Sequence, residues 1–136
     1  MSSESMPVPA QPDDGSLLFS GMPDLIRDQF DRLMVLAGPA YGHELLHRLS
    51  LDLQSVQTRL ETALPRRDWG DLRAQTHILA ALAGSVGAPR LQHMAQSVNR
   101  LPDTTEPTQL DRVMPPMLDQ LRGLLRFVTE RLAEFR

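Results

Sequence analysis

The sequence predicts an all-α protein, an antiparallel four-helix bundle with an additional N-terminal helix. Three observations carry this. Apolar residues recur in steps of three and four over long segments, and strand-like alternation is absent throughout. Aromatic residues are only 4% of the 136, so the core must be leucine, valine, alanine and methionine, a composition that favours helices over a β-sandwich. The helical segments are joined by short connections, which makes neighbours antiparallel.

Taken in order, the chain opens on "MSSESMPVPAQPDDGS", polar and proline-rich. Residues 1–20 are expected to be a disordered tail and residues 21–136 one helical domain. The tail has neither the charged start nor the apolar run of a signal peptide, and no window reaches the roughly 18 apolar residues of a membrane span. A cytoplasmic protein is expected. The first helix is predicted over 23–37, with Pro23 in its first turn and Ile26, Phe30, Leu33 and Ala37 on one face. "AGPAYG" should break it and leave it capping one end of the bundle. The second helix, over 41–64, carries Leu46, Leu49, Leu53, Val56, Leu60 and Ala63 as a sustained heptad stripe, and Pro65 ends it. Asp68 is a candidate N-cap for the third, which runs to Val86 with Gly87 at its C-terminus. Pro89 suits the first turn of the fourth, over 89–101. "PDTTEPT" is a linker, and the fifth helix covers 109–135. Pro115 and Pro116 are expected to split it into a short first piece and a main helix.

All 14 basic residues are arginine, and the net charge is −3, which removes the electrostatic case for nucleic acid. Glu4, Asp13 and Asp14 in the tail supply that net charge. No cysteine is present, hence no disulfide and no thiolate chemistry. His43 and His47 stand four apart, a spacing that can bind a metal, but no third ligand is near in sequence, so both read as a solvated face and no metal site is expected. His93 reads as surface. Asp52, Glu61, Asp68 and Asp71 read as solvated or capping acids, and "PRR" at 65–67 as a solvated turn. Met94, Met114 and Met117 read as core filler.

His77 is different. On a helical wheel Leu72, Leu79, Ala83 and Val86 cluster opposite it, and Trp69, Ile78 and Leu82 widen that core arc. The histidine points away from the core. Its own neighbours are Gly70, Arg73, Ala74, Ala80, Ala81, Gly84 and Ala88, of which only Arg73 is long. A solvent face usually carries long polar side chains at such positions. Glycine within a helix costs about 1 kcal/mol relative to alanine, so Gly84 requires a reason of packing or of access. Either the small residues let a neighbouring helix approach, or they clear room for something large to reach the imidazole.

The stretch "HILAALAGSVGAPRL" resembles the signature of the histidine-containing phosphotransfer domain family. In that pattern leucine stands two after the histidine, here Leu79. A small residue stands seven after, here Gly84, and a hydrophobic one nine after, here Val86. Gly87 and Ala88 follow at ten and eleven, and Leu91 on the next helix. "YGHELLHRLSLDLQSVQTRLETALPRRDWGDL" resembles the preceding helix and turn. The register holds without a gap from Tyr41 to Asn99, and the last helix is similar by architecture only. Three positions depart from the pattern. The usual lysine three after the histidine is Ala80, the usual glycine four after is Ala81, and a glutamate or glutamine position facing the histidine is Asn99.

The resemblance implies that His77 accepts a phosphoryl group from an aspartyl phosphate on a receiver domain and passes it to another. An imidazole with the ordinary pKa of about 6.5 offers a lone pair near neutral pH. Arg73, one turn before, would stabilise the phosphoryl charge in place of the missing lysine. Gly70, Ala74, Ala80, Ala81, Gly84, Ala88 and Asn99 would form the docking surface. The implied partners are response-regulator receiver domains and hybrid histidine kinases, met transiently by a monomer. The protein would hold no cofactor of its own, the Mg²⁺ coming from the receiver. It has no glycine-rich nucleotide loop, so it would be a carrier and not a kinase. The alternative is a binding or regulatory module on the same bundle that works without phosphorylation.

Overall fold

The computed structural model describes Leu25 and residues 27–135. The expected tail and Ile26 lie outside the described residues. Four helices fill this range: α1 (Arg27–Arg66), α2 (Trp69–Val86), α3 (Pro89–Asn99) and α4 (Pro107–Ala133). No strand occurs among the described residues. The helices form a closed ring. α1 packs on α2 and α4, α2 on α3, and α3 on α4, with no close backbone approach across either diagonal.

The core follows the stripe read from the sequence. Leu46, Leu49, Leu53, Val56, Leu60 and Ala63 of α1 are all buried. They meet Leu72, Leu79, Ala83 and Val86 of α2, Leu91, Ala95 and Val98 of α3, and a run on α4 that includes Met114, Met117, Leu121 and Leu124. Burying each such leucine stabilises the fold by roughly 1.5–3 kcal/mol relative to leaving it exposed. Met94 is only half-buried. Ile78, expected to widen the core arc, is instead exposed.

Two expected breaks turn out differently from each other. The first and second predicted helices run on as α1 with a single non-helical residue, Gly38, at φ 80°, ψ 169°. Glycine makes the bend and Pro39, with its fixed φ, restarts the helix. The short arm before the bend folds back on the bundle. Phe30 meets Phe127 of α4 edge-to-face at 4.9 Å, and Gln29 Nε2 donates to Gly84 O of α2 at 2.8 Å. The arm therefore caps the end where α2 stops. Pro115 and Pro116, by contrast, do not interrupt α4. Their missing N–H groups leave the carbonyls of Asp111 and Arg112 without helical donors. All four residues are exposed, so water can take the donors' place. The buried residues on either side, Met114 and Met117, hold the helix together.

The turn between α1 and α2 is tighter than a solvated "PRR". Arg67 adopts a left-handed φ of 53°. Arg67 N donates to Leu64 O and Asp68 N to Ala63 O, both at 3.1 Å, which closes the end of α1. The Arg67 guanidinium adds a bond to Leu64 O at 2.9 Å and pairs with both oxygens of Asp111 on α4 at 3.1 and 3.2 Å. Asp68 then caps α2 by accepting from Asp71 N at 3.1 Å, as its position predicted. At the other end of α2, Gly87 takes a left-handed φ of 86° and Ala88 N returns to Ala83 O at 2.9 Å, turning the chain directly into α3.

Candidate functional site

His77 sits midway along α2 with its side chain exposed. Its ring makes no hydrogen bond or ion pair with any of the described residues. The helix that carries it is anchored behind by the buried Leu72, Leu79, Ala83 and Val86. Two buried polar residues that the wheel did not single out, Gln75 and Thr76, share that inner side. Thr76 Oγ1 donates to Leu72 O at 2.8 Å, so its hydroxyl is satisfied in the core.

On the outer side, Gly70, Ala74, His77 and Ala81 form one exposed strip along α2. Beside it lies a concavity of about 260 Å³ between α2 and α3, lined by Thr76, His77, Ala80, Ala81, Gln92, Gln96, Asn99 and Arg100. One wall is the alanine pair of α2. The other is a polar row of α3, in which Gln92, Gln96 and Arg100 stand at successive steps of four. Sequence reasoning missed this second wall. Its signal, a polar row next to the buried Leu91, Ala95 and Val98, is present in the sequence, but which helix the row faces is not.

Four expected site residues are placed differently from expectation. Ala88 is fully buried and can offer nothing to a partner, because it is drawn in by the turn after Gly87. Gly84 is half-buried, and a Cβ built on it would lie 2.4 Å from Gln92 Nε2. Its missing side chain makes room for the Gln92 amide of α3, which is a packing reading of that glycine. Asn99 lines the concavity, but its amide is spent on the neighbouring helix, with Nδ2 donating to Arg73 O at 2.9 Å and Thr76 Oγ1 at 3.2 Å. It is a strut between α3 and the turn of α2 that precedes His77. Arg73 does not turn toward His77. Its Nη2 donates to Leu101 O at 2.9 Å and pairs with Asp103, and its guanidinium carbon lies 5.3 Å from the Trp69 ring centroid. Those contacts direct it to the connection between α3 and α4.

The remaining histidines form no second centre. His43 packs edge-on against Phe135 at 5.5 Å, and His47 is exposed. His93 is exposed on a groove of about 350 Å³ between α3 and α4. Among the described residues, no group of three or more His, Asp or Glu side chains is placed to hold a metal ion. No helix of the described residues is long and apolar enough to cross a membrane. Glu61, on the seam between α1 and α4, has its pKa held below the usual carboxylate value. The Gln57 amide donates to it, and so does the Arg122 guanidinium.

A comparison with protein families finds that residues 44–127 match the model of the Hpt domain. The match begins in α1, spans α2 and α3 with the whole concavity, and extends into α4 as far as Phe127. No curated protein and no solved structure matches the chain at a significant level.

Proposed function

Because the chain belongs to the Hpt domain family, whose members carry phosphoryl groups on histidine in phosphorelays and are carriers rather than kinases, we propose that it is a phosphorelay intermediate with His77 as the acceptor. One observation carries this choice among the histidines. His77 is exposed, its ring has no partner among the described residues, and it stands on a strip of glycine and alanine that a second protein can approach closely.

On this reading a lone pair of an imidazole nitrogen forms an N–P bond while the P–O bond of an aspartyl phosphate breaks. The aspartate leaves as a carboxylate, and the proton on the other ring nitrogen is free to exchange with water. Transfer onward reverses the step. The reaction depends on in-line approach and charge stabilisation more than on acid–base groups. The receiver domain supplies the aspartate and its Mg²⁺, and the bundle supplies a nucleophile on a rigid helix. We take the protein to act as a cytoplasmic monomer that meets receiver domains, alone or within hybrid histidine kinases, in turn.

The competing reading is a binding module that works without phosphorylation, and Ala80, where the family pattern has lysine, favours it. Mixing the protein with phosphorylated receiver domains from the same organism and recording intact mass separates the two. Gain of one phosphoryl group, lost in His77→Gln with the helical circular dichroism unchanged, is the expected result. A His77→Gln variant that still gains it would move the site to another histidine. A parent protein that no receiver labels would leave the binding module.

A further inference from the structure

The concavity beside His77 contains a cation that neither the sequence reading nor the family match assigns. Arg100 lines it together with His77, Ala80, Gln92 and Gln96. The residue is exposed, and its side chain has no hydrogen bond or ion pair among the described residues. Only its backbone is engaged, capping α3 through its N–H bond to Gln96 O at 3.1 Å, while Leu101 N donates to Val98 O. Arg73, the nearer cation in sequence, is tied to Leu101 O and Asp103.

We infer that the Arg100 guanidinium receives the phosphoryl oxygens on His77. The inference rests on the phosphotransfer reading and names the group that completes it. A phosphoryl group brings up to about two negative charges at neutral pH. It would arrive beside the C-terminal end of α3, where unpaired carbonyls make the helix end negative. Without a cation that end repels it. The opposite wall gives no help, since Ala80 and Ala81 present methyls. A guanidinium at the C-cap offsets the helix end and offers a planar fork of donors to phosphate oxygens. Gln96, one turn earlier on the same row, presents an amide to the same space. Arg100 is thereby a catalytic residue in the strict sense, in contact with the group being transferred.

Arg100 is solvent-exposed, so water screens it and the effect is moderate. Removal should slow phosphoryl transfer roughly three- to ten-fold. The test uses phosphoramidate, a small donor whose P–N bond breaks as the imidazole N–P bond forms, releasing ammonia. Labelling at His77 is followed by peptide mass mapping in the full chain. Arg100→Ala and Arg100→Gln should both slow it on that scale while thermal unfolding stays that of the parent. Arg100→Lys should recover much of the rate. Adding Ala80→Lys to Arg100→Ala should also recover it, by setting a charge on the opposite wall, which a purely structural role of Arg100 would not allow. Arg126→Ala, an exposed arginine of α4, controls for loss of net charge. Equal labelling of the parent and Arg100→Ala overturns the inference, as does a parent that phosphoramidate does not label at His77. If phosphoramidate labelling depends on Arg100 but no receiver labels the parent, the inference stands and the relay reading falls. If receivers label His77 equally well with and without Arg100, the reverse holds.

Discussion

The two walls beside His77 are built on opposite principles. The α2 wall is bare, with Ala80 and Ala81 next to the histidine and Gly70 and Ala74 continuing the strip. The α3 wall is polar and longer in reach, with Gln92, Gln96 and Arg100. The bare wall is a property of one helix, since every member lies within one or two turns of His77. The polar wall exists only because α3 packs against α2. What brings it there is the turn at Gly87 and the Asn99 strut, and the absence of a side chain at Gly84 leaves space for the Gln92 amide. Access and charge are thus supplied by different elements, and each can be disturbed without the other.

The largest effect should come from filling the bare wall. Ala81→Trp places a bulky ring on an exposed position, so it should leave thermal stability close to that of the parent. Transfer from a receiver should fall by at least about ten-fold, because misplacing the reacting atoms by even an ångström is that costly. Phosphoramidate, which needs no docking, should still label His77. Equal loss with both donors would mean that the wall shapes the histidine itself and not the approach to it.

The supports of the polar wall come next. Asn99→Ala removes two hydrogen bonds that join α3 to α2, and urea unfolding should show a loss of about 1–2 kcal/mol. No loss would mean that helix packing alone holds the wall. Arg73→Ala should cost somewhat less, about 0.5–1.5 kcal/mol, through the bond to Leu101 O and the contact with Trp69, since its pair with Asp103 is largely exposed. If that variant were as stable as the parent, its contacts would be ornaments of the surface.

The smallest effect lies away from both walls, on the seam between α1 and α4. Glu61 has a lowered pKa in the folded chain because Gln57 and Arg122 donate to its carboxylate. The stability it contributes is fully present above the ordinary glutamate value, 4.5, and is lost as the pH falls through the lower folded value. The difference in melting temperature between the parent and Glu61→Gln should therefore shrink from pH 6 toward pH 3. A difference that persists unchanged in acid would assign the effect to something other than the charge.

The same contrast explains what was legible in the sequence. Within one helix, periodicity is enough. The buried stripe from Leu46 to Ala63, the Asp68 cap and the outward direction of His77 all follow from positions three and four apart. Relations between helices are not encoded that way. Arg73 lies on the correct flank of His77 on a wheel, yet Leu101 and Asp103, some thirty residues on, draw it aside. Arg100, two residues before Pro102, has no evident role until α3 is laid beside α2. Ala88 belongs to a stripe of small residues by spacing and to the core by the turn that follows Gly87. Proline misled in a different way. At Pro39 a break is real because Gly38 precedes it, whereas Pro115 and Pro116 fall on an exposed face where α4 can continue without their donors.

Two glycines of α1 differ in what evolution could do with them. A Cβ at Gly42 would lie 2.9 Å from Met34 Cε, the end of a flexible side chain. A larger residue there could be accommodated by a second change at Met34, so the pair can drift together. Nothing lies within 4 Å of a Cβ at Gly38, yet its φ of 80° with ψ of 169° is open essentially to glycine alone. The obstacle is torsional, and no neighbour can be altered to relieve it. A lineage that loses Gly38 must either recover it or give up the bend, and with the bend the placement of Phe30 and Gln29 over the end of the histidine's helix.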